Sequence, residues 1–210
     1  MRHNTLDKII CEFDTGLRTL LAKPYSLRPH PDQDIAEPSL SEAEKKHASA
    51  LMRINHTGEV CAQALYSGQA LTAKSAATSQ SMRQAAQEET EHLAWCETRI
   101  HALGGHTSLL NPLFYAGSFA IGAIAGALGD KWSLGFVEET EKQVGEHLDS
   151  HLGKLPDTDE KSRKIIEQMR LDEAKHAVEA KQQGAADLPA PVKFCMKQMS
   201  KLMTSSTYHL

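Results

Sequence analysis

Apolar residues recur at helical spacing along most of the chain, and no strand-like alternation persists. Leu6, Ile9, Ile10, Phe13, Leu17, Leu20 and Leu21 predict a short amphipathic helix over residues 5–22. Pro24, Pro29, Pro31 and Pro38 make residues 23–40 an irregular connector. Ser41 and Glu44 match the S-x-x-E capping box and open a long helix over 41–73. A second long helix is expected over 78–103, ended by Gly104-Gly105. Two more are expected over 131–152, ended by Gly153 and Pro156, and over 158–183, closed by Gly184, Pro189 and Pro191. A last short helix covers 191–204. The expected organisation is an N-terminal helix and proline-rich connector (1–40), one helical domain (41–204) and a short tail (205–210).

The run from Leu109 to Leu128 breaks the amphipathic pattern. It is rich in Gly and Ala, carries no charge, and is interrupted early by Asn111-Pro112. A bilayer span needs about 20 apolar residues, and the uninterrupted part is shorter. The run therefore predicts a buried helix or a segment dipping into a membrane surface, with Phe114, Tyr115 and Trp132 suited to the interface.

Composition supports an all-α chain. The 210 residues suffice for one domain with a sizeable core, and aromatics make up only 5%. The net charge of -4, with no basic tract, gives no footprint for nucleic acid. Cys11, Cys61, Cys96 and Cys195 are scattered without a C-x-x-C, which argues against a thiolate zinc site or a disulfide framework and fits a reducing compartment. Met1 to Ile10 lacks the apolar segment of a secretory leader.

The candidate chemistry lies in Glu88-Glu89-Thr90-Glu91-His92 and its echo Asp172-Glu173-Ala174-Lys175-His176. Each is an acid followed by Glu-x-x-His inside a predicted helix. Positions i and i+3 lie about 60° apart on one helical face, so each pair can aim a carboxylate and an imidazole at one point. Glu88 and Asp172, at i−4 from their histidines, share that face too. They are alternative ligands, or acceptors for the histidines' outward N–H. The first and third long helices each offer a single glutamate. Glu59 sits on a largely apolar stripe with Met52, Ala62 and Tyr66, where an unpaired carboxylate is costly. Glu141 stands 32 residues before Glu173, nearly the 30 that separate Glu59 from Glu89, and Glu138 is an alternative one turn earlier. Gly58, beside Glu59, predicts close approach of another element. Cys96 lies one turn after His92 and reads as a small packing residue.

One Glu from each of two helices, with Glu-x-x-His from each of two others, is the ligand pattern of ferritin-like di-iron and di-manganese four-helix bundles. Mixed carboxylate and imidazole donors suit iron or manganese better than zinc or calcium. Such a pair of metals can oxygenate an organic substrate, oxidise iron for storage, or handle peroxide.

Arg53-Ile54-Asn55-His56-Thr57-Gly58-Glu59-Val60, followed by Leu65-Tyr66-Ser67-Gly68-Gln69, closely resembles the demethoxyubiquinone hydroxylase family. The resemblance runs through both Glu-x-x-His pairs and the Glu141 helix, over roughly residues 41 to 204. The stretch before residue 41 looks like the extension of bacterial members. It implies a ferritin-like di-iron monooxygenase of ubiquinone biosynthesis, with extra N-terminal, membrane-interface and C-terminal helices. Its substrates would be O2 and 2-polyprenyl-3-methyl-6-methoxy-1,4-benzoquinol. By motif, Glu59, Glu89 and His92 would serve one iron and Glu141, Glu173 and His176 the other, with Glu89 and Glu173 bridging. His147 matches a family histidine near the metals. The resemblance further implies peripheral attachment to the cytoplasmic face of the bacterial inner membrane, where the polyprenyl tail lies, and partners among other ubiquinone-biosynthesis proteins. Cys61 and Gln63 depart from residues common in the family, outside the ligand set. The alternative is a ferritin-like iron-oxidising or storage protein, against which the apolar 109–128 run argues.

Overall fold

The computed structural model describes residues 5–210. Residues 1–4, part of the stretch expected to lack a leader's apolar segment, lie outside the described residues. The described residues form seven helices and no strand: α1 (Thr5–Leu21), α2 (Glu42–Thr72), α3 (Ala76–Ala102), α4 (Asn111–Ala127), α5 (Asp130–Leu152), α6 (Glu160–Gln182) and α7 (Ala190–Thr207). The architecture is all-α, with α2, α3, α5 and α6 as the four long helices of a bundle. The capping box is present: Ser41 Oγ accepts from Glu44 N at 3.3 Å, and Glu44 Oε2 accepts from Ser41 N at 2.8 Å. Gly104 ends α3 with φ +76°, a left-handed conformation that only glycine adopts without strain.

α2 is the axis of the molecule, buried almost continuously from Ala48 to Ala70. It packs against α3 on one side and α4 on another, while α5 and α6 pair with each other and close the bundle. Two apolar layers fill it. One joins Leu51, Met52, Trp95, Ile100, Leu148, Ile165 and Met169. The other joins Ala62, Leu65, Tyr66, Met82, Leu134, Val137 and Ala180. On every one of the four helices the acidic candidate lies between its contributions to these layers, so the fold carries a polar slab across an apolar core.

The close approach expected at Gly58 does not occur, since a Cβ there would meet nothing within 4 Å. It occurs between α2 and α4 instead. A Cβ on Gly68 would stand 2.2 Å from Phe119 O, and one on Gly122 would stand 2.1 Å from Leu65 O. These glycines let α4 lie on α2 with almost no side chain between them. No helix among the described residues is long and apolar enough to cross a membrane. α4 buries Tyr115, Gly122, Ala125 and Gly126 and leaves Leu113 and Ile124 exposed.

α1 is amphipathic, but its apolar stripe faces outward. Leu6, Ile9, Ile10, Phe13, Leu17 and Leu21 are exposed, whereas Glu12 is buried and pairs with Arg83 at 2.6 Å. The connector between α1 and α2 lies along α3 and α6, held by Arg99–Glu37 at 2.7 Å and Lys161–Asp32 at 3.2 Å. α7 continues past residue 204 to Thr207, which is buried, and the Tyr208 hydroxyl bonds His47 Nδ1 at 2.9 Å.

Candidate metal centre

Two donor groups occupy the slab. Glu59, Glu89, His92 and Glu173 form one; Glu89, Glu141, Glu173 and His176 form the other. Within each group one donor atom from every residue lies within 4.8 Å of the rest, and all six side chains are buried. Glu89 and Glu173 belong to both groups, because the i, i+3 geometry of α3 and α6 brings each carboxylate between the two imidazoles. His92 Nδ1 lies 3.0 Å from Glu89, 3.2 Å from Glu173 and 3.7 Å from Glu59. His176 Nδ1 lies 3.3 Å from Glu173 and 3.6 Å from Glu89. Each histidine thus turns Nδ1 inward and Nε2 outward.

The outward nitrogens meet the acids that precede the opposite motifs. His92 Nε2 lies 3.0 Å from Asp172 Oδ2, and His176 Nε2 lies 2.7 Å from Glu88 Oε2. Glu88 and Asp172 therefore stand behind the histidines, outside both donor groups. A hydrogen bond at Nε2 fixes the tautomer that leaves Nδ1 free for a cation. Glu138, the alternative to Glu141, is engaged by Lys142 at 2.6 Å and Lys181 at 3.5 Å and joins neither group. His147 also joins neither; it packs on His151 with ring centroids 3.9 Å apart. Cys96 is buried with its thiol 3.6 Å from Met169 Sδ.

Burial and mutual proximity set the protonation of the cluster. Burial pushes the Glu59 and Glu141 carboxyls well above the usual carboxylate range, and the neighbouring carboxylates push the same way. Burial also opposes charge on the histidines, yet Glu89 and Asp172 hold His92 well above its ordinary value. His176 is raised to about 10 against burial, by its bond to Glu173 and the nearby Glu89. Glu173 stays well below the usual range in spite of burial, held by bonds from His176 and His92. The Glu59 and Glu141 carboxyls thus favour the protonated form, and both imidazoles favour the charged one. Glu89 Oε1 and Glu141 Oε1 are buried without a hydrogen-bond partner, an arrangement that ordinarily carries a free-energy penalty. Divalent cations would displace the protons, satisfy the orphaned oxygens and neutralise the four charges, so the residues present fit a pair of hard or borderline metal ions.

Sequence reasoning missed the supports of this cluster. Arg28, from the connector, bonds Asp172 Oδ2 at 2.8 Å and pairs with Glu91. Gln63 Nε2 donates to Ala86 O at 3.1 Å and Thr90 Oγ1 at 2.9 Å, tying α2 to α3 one turn from Glu59. His151 Nδ1 meets Asn55 Oδ1 at 2.8 Å, giving part of the Asn-His motif a packing role across 96 residues of chain. Such long-range partners leave no local periodicity that could have revealed them.

The sequence is similar to those of known proteins. The sequence model of the family described as ubiquinone biosynthesis protein COQ7 matches residues 46–207. A protein of Chromobacterium violaceum named 3-demethoxyubiquinol 3-hydroxylase is 64% identical over 205 residues, covering 98% of this chain and 100% of that protein. A protein of the same name from Laribacter hongkongensis is 59% identical over the same shares of both chains. One from Nitrosospira multiformis is 58% identical over 97% of this chain and 98% of its own. The matched residues contain both donor groups and, apart from the first turn of α2, the four long helices, and the chain belongs to the ubiquinone biosynthesis protein COQ7 family.

Proposed function

We propose that this chain is a 3-demethoxyubiquinol 3-hydroxylase, an O2-dependent monooxygenase that holds two iron ions and acts on 2-polyprenyl-3-methyl-6-methoxy-1,4-benzoquinol. The observation that carries this reading is the pair of buried donor groups sharing Glu89 and Glu173, together with the activity for which the similar full-length bacterial proteins are named. Glu59, Glu89 and His92 would hold one iron and Glu141, Glu173 and His176 the other, with Glu89 and Glu173 between them. Two iron ions held there would supply paired electrons to O2, so that one oxygen atom passes to a ring carbon and the other leaves as water, with a two-electron reductant restoring the metals.

The chain's own residues prepare the site. The four carboxylates match the charge of two divalent cations. Asp172 and Glu88 hold the Nε2 protons and keep each Nδ1 turned inward. The apolar layers on either side of the slab exclude water, so the charges inside act in a low dielectric.

The substrate class explains the outer surface. A polyprenyl tail stays in the bilayer, so the enzyme must work at its surface. Exposed apolar residues on α4 (Leu113, Ile124) and the outward stripe of α1 (Ile9, Phe13, Leu17) supply the contact. We place the protein peripherally on the cytoplasmic face of the bacterial inner membrane.

The test is anaerobic iron loading with the quinol, then admission of oxygen and mass analysis. The expected result is two irons per chain and a product carrying one added oxygen. Oxidation and deposition of iron with the quinol unchanged would instead establish the storage reading.

A further inference from the structure

We infer that Arg28 is a positioning residue for His92, acting through Asp172, and that it makes the two halves of the metal centre inequivalent. The inference rests on the metal-binding reading above. Arg28 lies in the connector between α1 and α2, outside residues 46–207 matched by the family model. Its guanidinium is held on three sides. Nη2 donates to Asp172 Oδ2 at 2.8 Å, Nε pairs with Glu91, and Cζ lies over the Trp95 ring, 4.7 Å from its centroid. Trp95 is itself fixed, donating from Nε1 to Ser26 Oγ at 3.1 Å and packing 5.2 Å from the His92 ring. A planar fork stacked on an aromatic face is a role that lysine does not reproduce.

Asp172 Oδ2 is the atom that meets both Arg28 and His92 Nε2, while Oδ1 accepts from Gln168 Nε2 at 3.0 Å. The carboxylate therefore cannot swing without losing a charge-assisted bond. At the other half, Glu88 Oε2 meets His176 Nε2 and Oε1 accepts only from Gln84 Nε2 at 3.1 Å. Among the described residues Glu88 makes no salt bridge to an arginine or lysine. Its side chain is 33% exposed against 17% for Asp172. One histidine's outer N–H meets an acceptor held by an arginine; the other's meets a more exposed acceptor without one.

A purely structural reading would have Arg28 only pin the connector. The connector has other anchors, Arg99–Glu37 and Lys161–Asp32, that touch neither acid behind the histidines. Removing Arg28 thus frees Asp172 while these anchors still hold the connector.

The experiment uses cobalt(II) as the probe. Visible absorption counts and weighs the sites, and NMR follows the exchangeable imidazole N–H signals shifted by the paramagnetic ion. In the wild type we expect two cobalt ions per chain, with one sharp, slowly exchanging N–H that disappears in Asp172→Asn, and one broadened by exchange with water. Arg28→Ala should weaken one site about tenfold, at the lower end for such outer partners. It should also broaden the sharp signal and leave the second site unchanged. Arg28→Lys should fall between the two, and Asp32→Asn should match the wild type. Several outcomes would overturn the inference: no change in Arg28→Ala, equal weakening of both sites, full rescue by lysine, or the same change in Asp32→Asn. Fewer than two cobalt ions in the wild type would overturn the two-metal reading itself, and Arg28's role with it.

Discussion

The α2–α3 and α5–α6 hairpins are near copies in sequence, each offering Glu and then Glu-x-x-His at almost the same spacing, yet their surroundings differ. The outer face of α2 is covered by α4 through glycine contacts and by α1, and the connector roofs α3 at Arg28. Among the described residues no arginine or lysine pairs with Glu88 behind His176, and His176 is 6% exposed where His92 is 0%. Three residues before each single glutamate the copies also diverge. His56 is buried beside Asn111, whereas Glu138 is paired with Lys142. A repeated ligand pattern thus sets what the two halves bind. The elements added around them set how each half is covered and which apolar residues stay exposed.

The largest expected effect tests where the halves are alike. Glu89→Ala and Glu173→Ala each remove a carboxylate shared by both donor groups, leaving two cations insufficiently neutralised. Both should abolish quinol hydroxylation and lose iron at both sites. Metal analysis beside turnover checks this, and an active variant of either would break the equivalence.

Next comes the layer behind the histidines. Asp172→Asn should lose about 10- to 100-fold in metal affinity or turnover, the usual range for such partners, with two irons still bound at high metal. Glu88→Gln should lose less, because Glu88 is more exposed and lacks an arginine. A larger loss in Glu88→Gln would reverse the ranking of the halves.

The third contrast concerns the outer faces. Phe13→Asp on α1 and Ile124→Asp on α4 replace exposed apolar side chains. Each side chain is worth about 1.5–3 kcal/mol if fully buried, so vesicle partitioning should fall about tenfold or more. Val178→Asp, exposed on α6, should leave partitioning unchanged. Co-sedimentation with quinol-containing vesicles decides it, and equal losses from both faces would remove the distinction.

The smallest effect is pH dependence. Burial, with the nearby His101, lowers His56 to about 4. The neutral form is favoured by folding, so its contribution is complete above the unfolded value and is lost as pH falls toward the folded one. From about pH 7.5 to about pH 5.5, the unfolded chain gains a proton there that the folded chain does not, costing about 1 kcal/mol. Urea unfolding of wild type and His56→Gln should therefore converge by about that amount on acidification. Parallel curves would show that His56 carries no such linkage.

Much of this molecule was legible before folding. Helical periodicity, the Ser41 cap and the Gly and Pro punctuation placed six of the seven helices, and the uncharged apolar run marked the place of α4. The i, i+3 rule placed a carboxylate and an imidazole on one face of α3 and again of α6, because helix geometry is local and fixed by the backbone. Sequence spacing alone only mildly preferred Glu141 to Glu138. Tertiary packing separated them, by giving Glu138 the ammonium groups of Lys142 and Lys181 and sending Glu141 inward. Tertiary structure alone also turned α1's apolar stripe outward, since Glu12 finds Arg83 and Ser67 beneath the helix. It moved the close approach from Gly58 to Gly68 and Gly122, where α4 crosses α2. It brought Arg28 to Asp172 across 144 residues of chain. Those outcomes depend on which surfaces meet, and no pattern within a single helix encodes its neighbour.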